Sequence, residues 1–308
     1  MMLIKRKENN FAFLLITWQL SFSIFALSIA SSSLLFLRIL GNILVGINIL
    51  QWFILQHDLG HNAFFKKSLF NTLLGHVASI FSLIPFYPWK NIHHSHHVWT
   101  GWKDLDPTHP TKKIQDLHKI SIFFIDLCWK LWIPIFALSF SLISFWNLKK
   151  LKKLYPQRQR MVQHIISISL IIICFTILFY KYPHFMITGW LPGMFFYLMI
   201  ADPLLLSQHT HIDYSDSEGQ KVRPYKYSLQ PAYTRSVIYP QWISKYILYN
   251  FDKHGLHHQY PSIPLYRLNK IPQIKENSIY WLKWLSIAKA IPATVLIFQS
   301  HRDTGINV

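Results

Sequence analysis

Long apolar runs constrain this chain more than any other feature, because each has the length that crosses a bilayer. A transmembrane helix needs roughly 20 predominantly apolar residues, and segments 11–31, 34–55, 162–180 and 185–206 meet that requirement. Segment 121–146 is as long, but Asp126, Lys130 and Pro134 interrupt it, and charge at bilayer depth is costly. It is expected to stay at the surface. Segment 69–88 carries Asn71, His76, Pro85 and Pro88 and suits an interfacial or re-entrant helix; 281–298 is a weaker run. Only 14% of the 308 residues are charged and 51% are hydrophobic, which is poor in charge for a soluble domain. The first run follows Lys5, Arg6 and Lys7, yet no small-residue cleavage site follows and a second span starts almost at once. That pattern reads as an anchored protein, without a signal peptide. The expectation is an all-α integral membrane protein built as one domain over residues 1–308. It would have four transmembrane helices, interfacial helices and a cytoplasmic His-rich cap.

The net charge of +18 raises nucleic-acid binding, but a nucleic-acid face needs its Lys and Arg on a soluble domain. Here they fall between the apolar runs, at Lys66 and Lys67, in KKLKK at 149–153, at Arg158 and Arg160, and from Lys221 to Lys226. This is the cytoplasmic bias of membrane-protein loops, and it favours anionic lipid headgroups over nucleic acid. With four crossings, both termini and every His-rich loop come out on the cytoplasmic side. Cys128 and Cys174 lie singly in apolar stretches and read as small core residues.

Three histidine clusters interrupt the apolar pattern: HDLGH at 57–61, HHSHH at 93–97 and HGLHH at 254–258. His57 and His61 are four apart, stacked on one helical face as a two-tooth metal clip. The other two share the spacing HxxHH, giving His93, His96 and His97, then His254, His257 and His258, with His94 left over. Residues i and i+3 are expected to share a face, and the adjacent i+4 histidine to turn toward a second ion. Imidazoles crowded in this way repel one another on protonation unless a metal holds them neutral. Eight histidines without a ligand cysteine exceed the four ligands of a structural zinc, so a pair of redox metals fits better. The isolated His76, His109, His118, His164 and His184 read as packed polar residues.

The phrases HDLGHNAFF, YPWKNIHHSHH and HGLHHQYPSIPLYRL resemble the membrane fatty-acid desaturase superfamily, with boxes HxxxH, HxxHH and HxxHH in order. The likeness runs from about residue 34 to residue 272. The three residues between the first pair of histidines are similar to acyl-lipid desaturases. The resemblance implies two iron ions held almost wholly by histidine on the cytoplasmic face, with O2 as co-substrate and a fatty acyl lipid as substrate. It also implies one further ligand just after the last span. SQHTH offers His209 and His211, and QHTH is similar to plant-type oleate desaturases, so His209 is taken as the ligand. Asp58, Asp104, Asp106 and Asp252 are candidates to hold the outer ring nitrogens. Trp89, Trp99 and Trp102 are expected to anchor the interface. No haem-binding HPGG segment or Cys-rich run occurs, so electrons are expected from a separate ferredoxin or cytochrome b5-like protein drawn to the basic loops, KKLKK especially. Two rivals stand beside desaturation. One is a diiron hydroxylase or ketolase of alkanes, sterols or carotenoids, which would share the ligands. The other is a metal transporter or sensor, which would want its polar ligands within the spans.

Overall fold

The computed structural model describes residues 9–110, 112–272 and 276–308; Lys5, Arg6 and Lys7, which underlie the expected sidedness, lie outside them. The helices run in the order α1 (Asn9–Ala30), α2 (Leu35–Gly60), α3 (Ser68–Ser82), α4 (Phe86–Trp99), α5 (Lys119–Lys130), α6 (Phe136–Ser144), α7 (Leu148–Leu154) and α8 (Arg158–Lys181). They continue with α9 (Pro183–His209), α10 (His254–Gln259), α11 (Trp281–Ala290) and α12 (Ala293–Phe298). Among the described residues four helices, α1, α2, α8 and α9, are singly long and apolar enough to span a bilayer. They cover the four runs expected to do so.

Two compact units, each assembled from separated stretches, divide the chain. The first takes in the described residues up to Asn91, Phe136–Ala201 and Ile247–Tyr249. Its centre is α2: 72% of that helix's most apolar window is buried, against 28% for α1 and 22% for α8. The outer helices turn Leu14, Trp18, Ile24, Ile172 and Ile173 outward, as lipid-facing surfaces require. Close approach rests on small residues, the usual device where lipid removes the hydrophobic drive for helix pairing. A Cβ on Gly41 would fall 2.2 Å from the Ala30 backbone nitrogen, and one on Gly193 would fall 2.3 Å from a Val45 methyl. Buried polar groups join the same helices. Ser23 donates to Asn48 Oδ1 at 3.0 Å, and Trp52 Nε1 donates to Ser23 at 2.9 Å.

Segment 69–88 does not form one straight helix. α3 and α4 meet at a 101° bend, where Leu83 takes a left-handed conformation with φ 56 and Pro85 withholds a backbone donor. Gln56 secures the corner by donating to the Ile84 carbonyl at 2.9 Å and accepting from Ser82 at 2.6 Å. Trp89, expected at an interface, is instead only 3% exposed. Its ring lies edge-on to Phe53 and covers Gly60, where a Cβ would stand 2.3 Å from Cζ3. A glycine in the first box leaves the slot that the indole fills.

The second unit comprises Ile92–Ile135, Asp202–Tyr246 and Asn250–Val308. Segment 121–146 breaks between α5 and α6, so neither piece reaches spanning length. Of the charges that interrupt it, Asp126 has a partner in the fold. Asp126 accepts from the Thr294 amide at 2.8 Å and its hydroxyl at 2.9 Å, at the start of α12. Lys289 Nζ stands 4.1 Å from the ring centres of both Trp129 and Trp132, a cation–π contact on each. Strand β1 (Ser236–Ile238) pairs in parallel with β2 (Ser278–Tyr280), Ser236 opposite Ser278. Beside β1, Arg235 clamps the last turn of α9. Its Nη1 donates to the carbonyls of Ser207 at 2.8 Å and Thr210 at 3.2 Å, and its amide donates to the Gln208 carbonyl at 2.8 Å.

Candidate metal centre

Helical spacing decides where the box histidines point. α4 carries His93, His96 and His97; α10 carries His254, His257 and His258; His209 closes α9. Within the second unit these side chains meet in two adjoining groups. His96, His209, His254 and His258 form one, with Nε2 to Nε2 distances of 3.2 Å (His96 to His209), 2.7 Å (His209 to His254) and 3.2 Å (His254 to His258). His93, His97 and His257 form the other, with both His93 and His257 Nε2 at 3.1 Å from His97 Nε2. The rings of His97 and His258 lie 4.2 Å apart, centre to centre.

The division within each HxxHH differs from the expected one. His93 shares a group with His97, and His254 with His258, while the i+3 histidines, His96 and His257, go to the other group. The reason is azimuth: at 3.6 residues per turn, i+4 lies about 40° around the axis from i, whereas i+3 lies about 60° back the other way. The i, i+4 pair is the better clip. In the first unit His57 lies in the last turn of α2 and His61 just follows the helix, their ring centres 4.9 Å apart. Asp58 Oδ1 lies 3.6 Å from His57 Nδ1.

What surrounds the four-histidine group fixes its protons. His96 Nδ1 lies 2.7 Å from Asp106 Oδ2, a carboxylate that only accepts. His209 Nδ1 lies 3.1 Å from the Tyr214 hydroxyl, whose own hydrogen goes to the Tyr233 carbonyl at 3.0 Å. His258 Nδ1 lies 3.0 Å from Gln230 Oε1, and the amide orientation follows from Gln230 Nε2 donating to the His97 carbonyl at 2.6 Å. All three imidazoles therefore carry their proton on Nδ1 and aim a bare Nε2 lone pair inward. His254 can add at most one proton. Three lone pairs at these separations repel unless a cation stands among them. Ligands at right angles and about 2.1 Å from a metal are about 3.0 Å apart, close to the spacing found. The donor set fits a metal that imidazole nitrogen prefers.

The electrostatics agree. Burial pushes the Asp106 carboxyl up, but its interaction with His96 and with the Thr108 amide and hydroxyl pulls it further down, below its ordinary value. Burial, reinforced by His97, His254, His96 and His209, holds His258 well below 6.5, so its ring is neutral and able to ligate at neutral pH.

The remaining candidates fall elsewhere. His94 is exposed. His211, two residues past the end of α9, has a left-handed backbone (φ 59) and bonds Thr304 at 2.8 Å. Among the isolated histidines, His76 bonds Ser167, His164 bonds Asn91, and His118 accepts from the Ile120 amide at the start of α5. Asp104 pins Ser217. Asp252 accepts from Ser244 at 2.8 Å, and burial raises its carboxyl to about 6. The outward partners Gln230, Tyr214 and Thr108 escaped the sequence reading. They sit in segments without periodicity, and only Tyr214, five residues past His209, lies close in sequence to the histidine it serves.

Residues 33–283 match the fatty acid desaturase family. The chain belongs to that family. This desaturase is an oxidoreductase of lipid metabolism, and its four apolar helices make it a multi-pass membrane protein. It is 26% identical over 252 residues to the sn-1 oleoyl-lipid 12-desaturase of Picosynechococcus sp., a match covering 76% of this chain and 68% of that protein. It is 24% identical over 245 residues to the omega-3 fatty acid desaturase fat-1 of Caenorhabditis elegans, covering 76% of this chain and 59% of that one. A shorter match, 39% over 54 residues, covers 18% of the chain and 15% of an sn-1 acyl-lipid omega-3 desaturase (ferredoxin) of Nostoc sp.. The chain thus spans between 15% and 68% of the lengths of these relatives.

Proposed function

We propose that the chain catalyses O2-dependent desaturation of a fatty acyl chain at a histidine-held pair of irons. One iron is held by His96, His209, His254 and His258. The other is held by His93, His97 and His257, and the spacing of the first box makes His57 and His61 metal ligands as well. When bound, the iron pair supplies the O2 activation that takes two hydrogens from neighbouring methylenes. O2, two electrons and two protons are consumed, and a cis or trans C=C and two waters result. The protein's share is to present neutral imidazoles, to keep their protons on the outer nitrogens and to hold the ligand helices in register. The observation that carries the reading is the convergence of imidazole nitrogens from far-apart boxes on one centre, in a member of the desaturase family.

Electrons come from a separate donor, a ferredoxin or a cytochrome b5-like protein; a relative whose name includes ferredoxin supports the first. The boxes and both termini lie on the cytoplasmic side. An acidic donor would meet the exposed lysines of α7, the helix of KKLKK, in which only Leu151 is buried. Lipid profiling of cells expressing the chain, beside a His257→Ala control, tests the function. A new double bond lost in the control is the expected result. A new hydroxyl or keto group would replace desaturation with oxygen insertion, and metal flux into vesicles without any lipid product would replace the enzyme with a transporter.

A further inference from the structure

One buried side chain outside all three boxes touches both histidine groups. Gln230 lies in the 3-10 turn Tyr227–Tyr233 and is fully buried. Its Nε2 donates to the backbone carbonyl of His97, in the three-histidine group, at 2.6 Å. Its Oε1 accepts from Nδ1 of His258, in the four-histidine group, at 3.0 Å. The two bonds are not independent. A carbonyl can only accept, so the amide nitrogen must face His97, and the oxygen is then the only end left for His258. The His97 backbone therefore dictates, through one planar amide, which ring nitrogen of His258 carries the proton.

We propose that Gln230 is a positioning residue that fixes the His258 tautomer and the seating of His97, so that a single amide prepares both metal sites. The proposal rests on the two-iron reading above. A flipped His258 would turn an N–H toward the centre, and His258 would be lost as a ligand. Ligand orientation held by an outer hydrogen bond is typically worth about 10- to 100-fold in metal affinity.

The test uses full-length protein purified in detergent, stripped of metal and titrated anaerobically with Co2+, whose visible absorption reports the number of nitrogen ligands. Two variants separate positioning from bulk packing. Gln230→Leu keeps approximate volume but removes both hydrogen bonds. Gln230→Glu still accepts from His258 but can no longer donate to the His97 carbonyl. Under the proposal Leu weakens both sites, the four-histidine site by about 10- to 100-fold with a changed Co2+ spectrum. Glu leaves that site within about threefold of wild type and weakens the three-histidine site instead. Combining each variant with His96→Ala, or with His93→Ala, identifies the site that has changed. Equal loss at both sites in both variants, or wild-type titrations in both, would overturn the proposal. Should Gln230→Leu fail to fold, Gln230→Glu alone decides, since weakening confined to the four-histidine site contradicts the assignment. A wild-type chain that takes up no Co2+ removes the two-metal reading itself, and that result is distinct from normal uptake with insensitive variants.

Discussion

Asp106→Asn is the most informative single change near the centre, because it alters protons while leaving shape almost untouched. Asp106 Oδ2 faces His96 Nδ1 at 2.7 Å, while Oδ1 accepts from the Thr108 amide at 2.9 Å and hydroxyl at 2.7 Å. An asparagine can satisfy only one side. With its oxygen toward His96, its NH2 opposes the Thr108 amide hydrogen, and a buried unsatisfied donor costs about 1–3 kcal/mol. With its NH2 toward His96, the ring must accept at Nδ1 and turn Nε2–H into the cluster. Either way His96 is a poorer ligand, and about 10- to 100-fold in affinity, or about 1.4–2.7 kcal/mol, should be lost at the site of His96, His209, His254 and His258. Metal content of the purified variant, set against metal-free and reloaded wild type, measures this directly. The loss should be confined to one of two metals. Wild-type affinity at both sites would refute the argument that outward acceptors set the inner lone pairs. Equal loss at both would show that Asp106 matters for packing alone.

Other expectations follow from the same geometry. Gly60→Ala drives a methyl into the rigid indole of Trp89 and should cost about 1–3 kcal/mol, as overpacking does; thermal unfolding in detergent reads it, and an unchanged midpoint would mean that the ring has room to retreat. Arg235→Met removes the charged clamp on the Ser207 and Thr210 carbonyls, bonds worth about 1.5–3 kcal/mol each before the relief of burying a charge is subtracted. Amide exchange at the end of α9 should quicken and the metal beside His209 be held less tightly, whereas unchanged exchange there would deny the clamp. Acid should destabilise the metal-free chain. His258 is held well below 6.5 in the fold, so the unfolded chain binds the extra proton as pH drops through about 6.5 and stability falls from there downward. Unfolding midpoints from pH 7.5 to 5.5 should fall accordingly, with a shallower slope in His258→Gln, and a flat or rising profile would contradict the sign.

Much of the fold was legible because lipid leaves few choices. Hydropathy picked out α1, α2, α8 and α9 over the broken run at 121–146, and one feature that disqualified that run has a use of its own. Asp126 holds the start of α12, and the helix ends just beyond Lys130. What hydropathy could not reveal was depth within the protein. Trp89 looked like an interfacial anchor because aromatic residues near span ends usually are. A ring that finds a glycine slot buries itself instead, and that slot is formed by a residue 29 positions earlier. The boxes are legible as candidate ligands because helical spacing stacks imidazoles. Their outer partners are not, since Gln230 and Tyr214 reach the centre through irregular segments, where neither spacing nor residue type announces a contact. Asp106 was one of four acidic candidates, and only the fold separates it from Asp104, which serves Ser217, and Asp252, which serves Ser244.

The adjacent histidines in each HxxHH carry a meaning that the single HxxxH lacks. Neighbouring residues on a helix point about 100° apart, so His96 and His97, or His257 and His258, are poorly placed to face one ion from the same side. Each such pair is better suited to a helix wedged between two centres. In the second unit the pairs do divide in this way, and in opposite senses: α4 gives two histidines to one group and one to the other, while α10 reverses the count. Two helices with complementary division produce two groups of nearly equal size from one repeated motif. A chain that needed a single ion could have used HxxxH on both helices and avoided the buried cost of the extra imidazoles. The doubled histidine is therefore the part of the sequence that argues most directly for two metals.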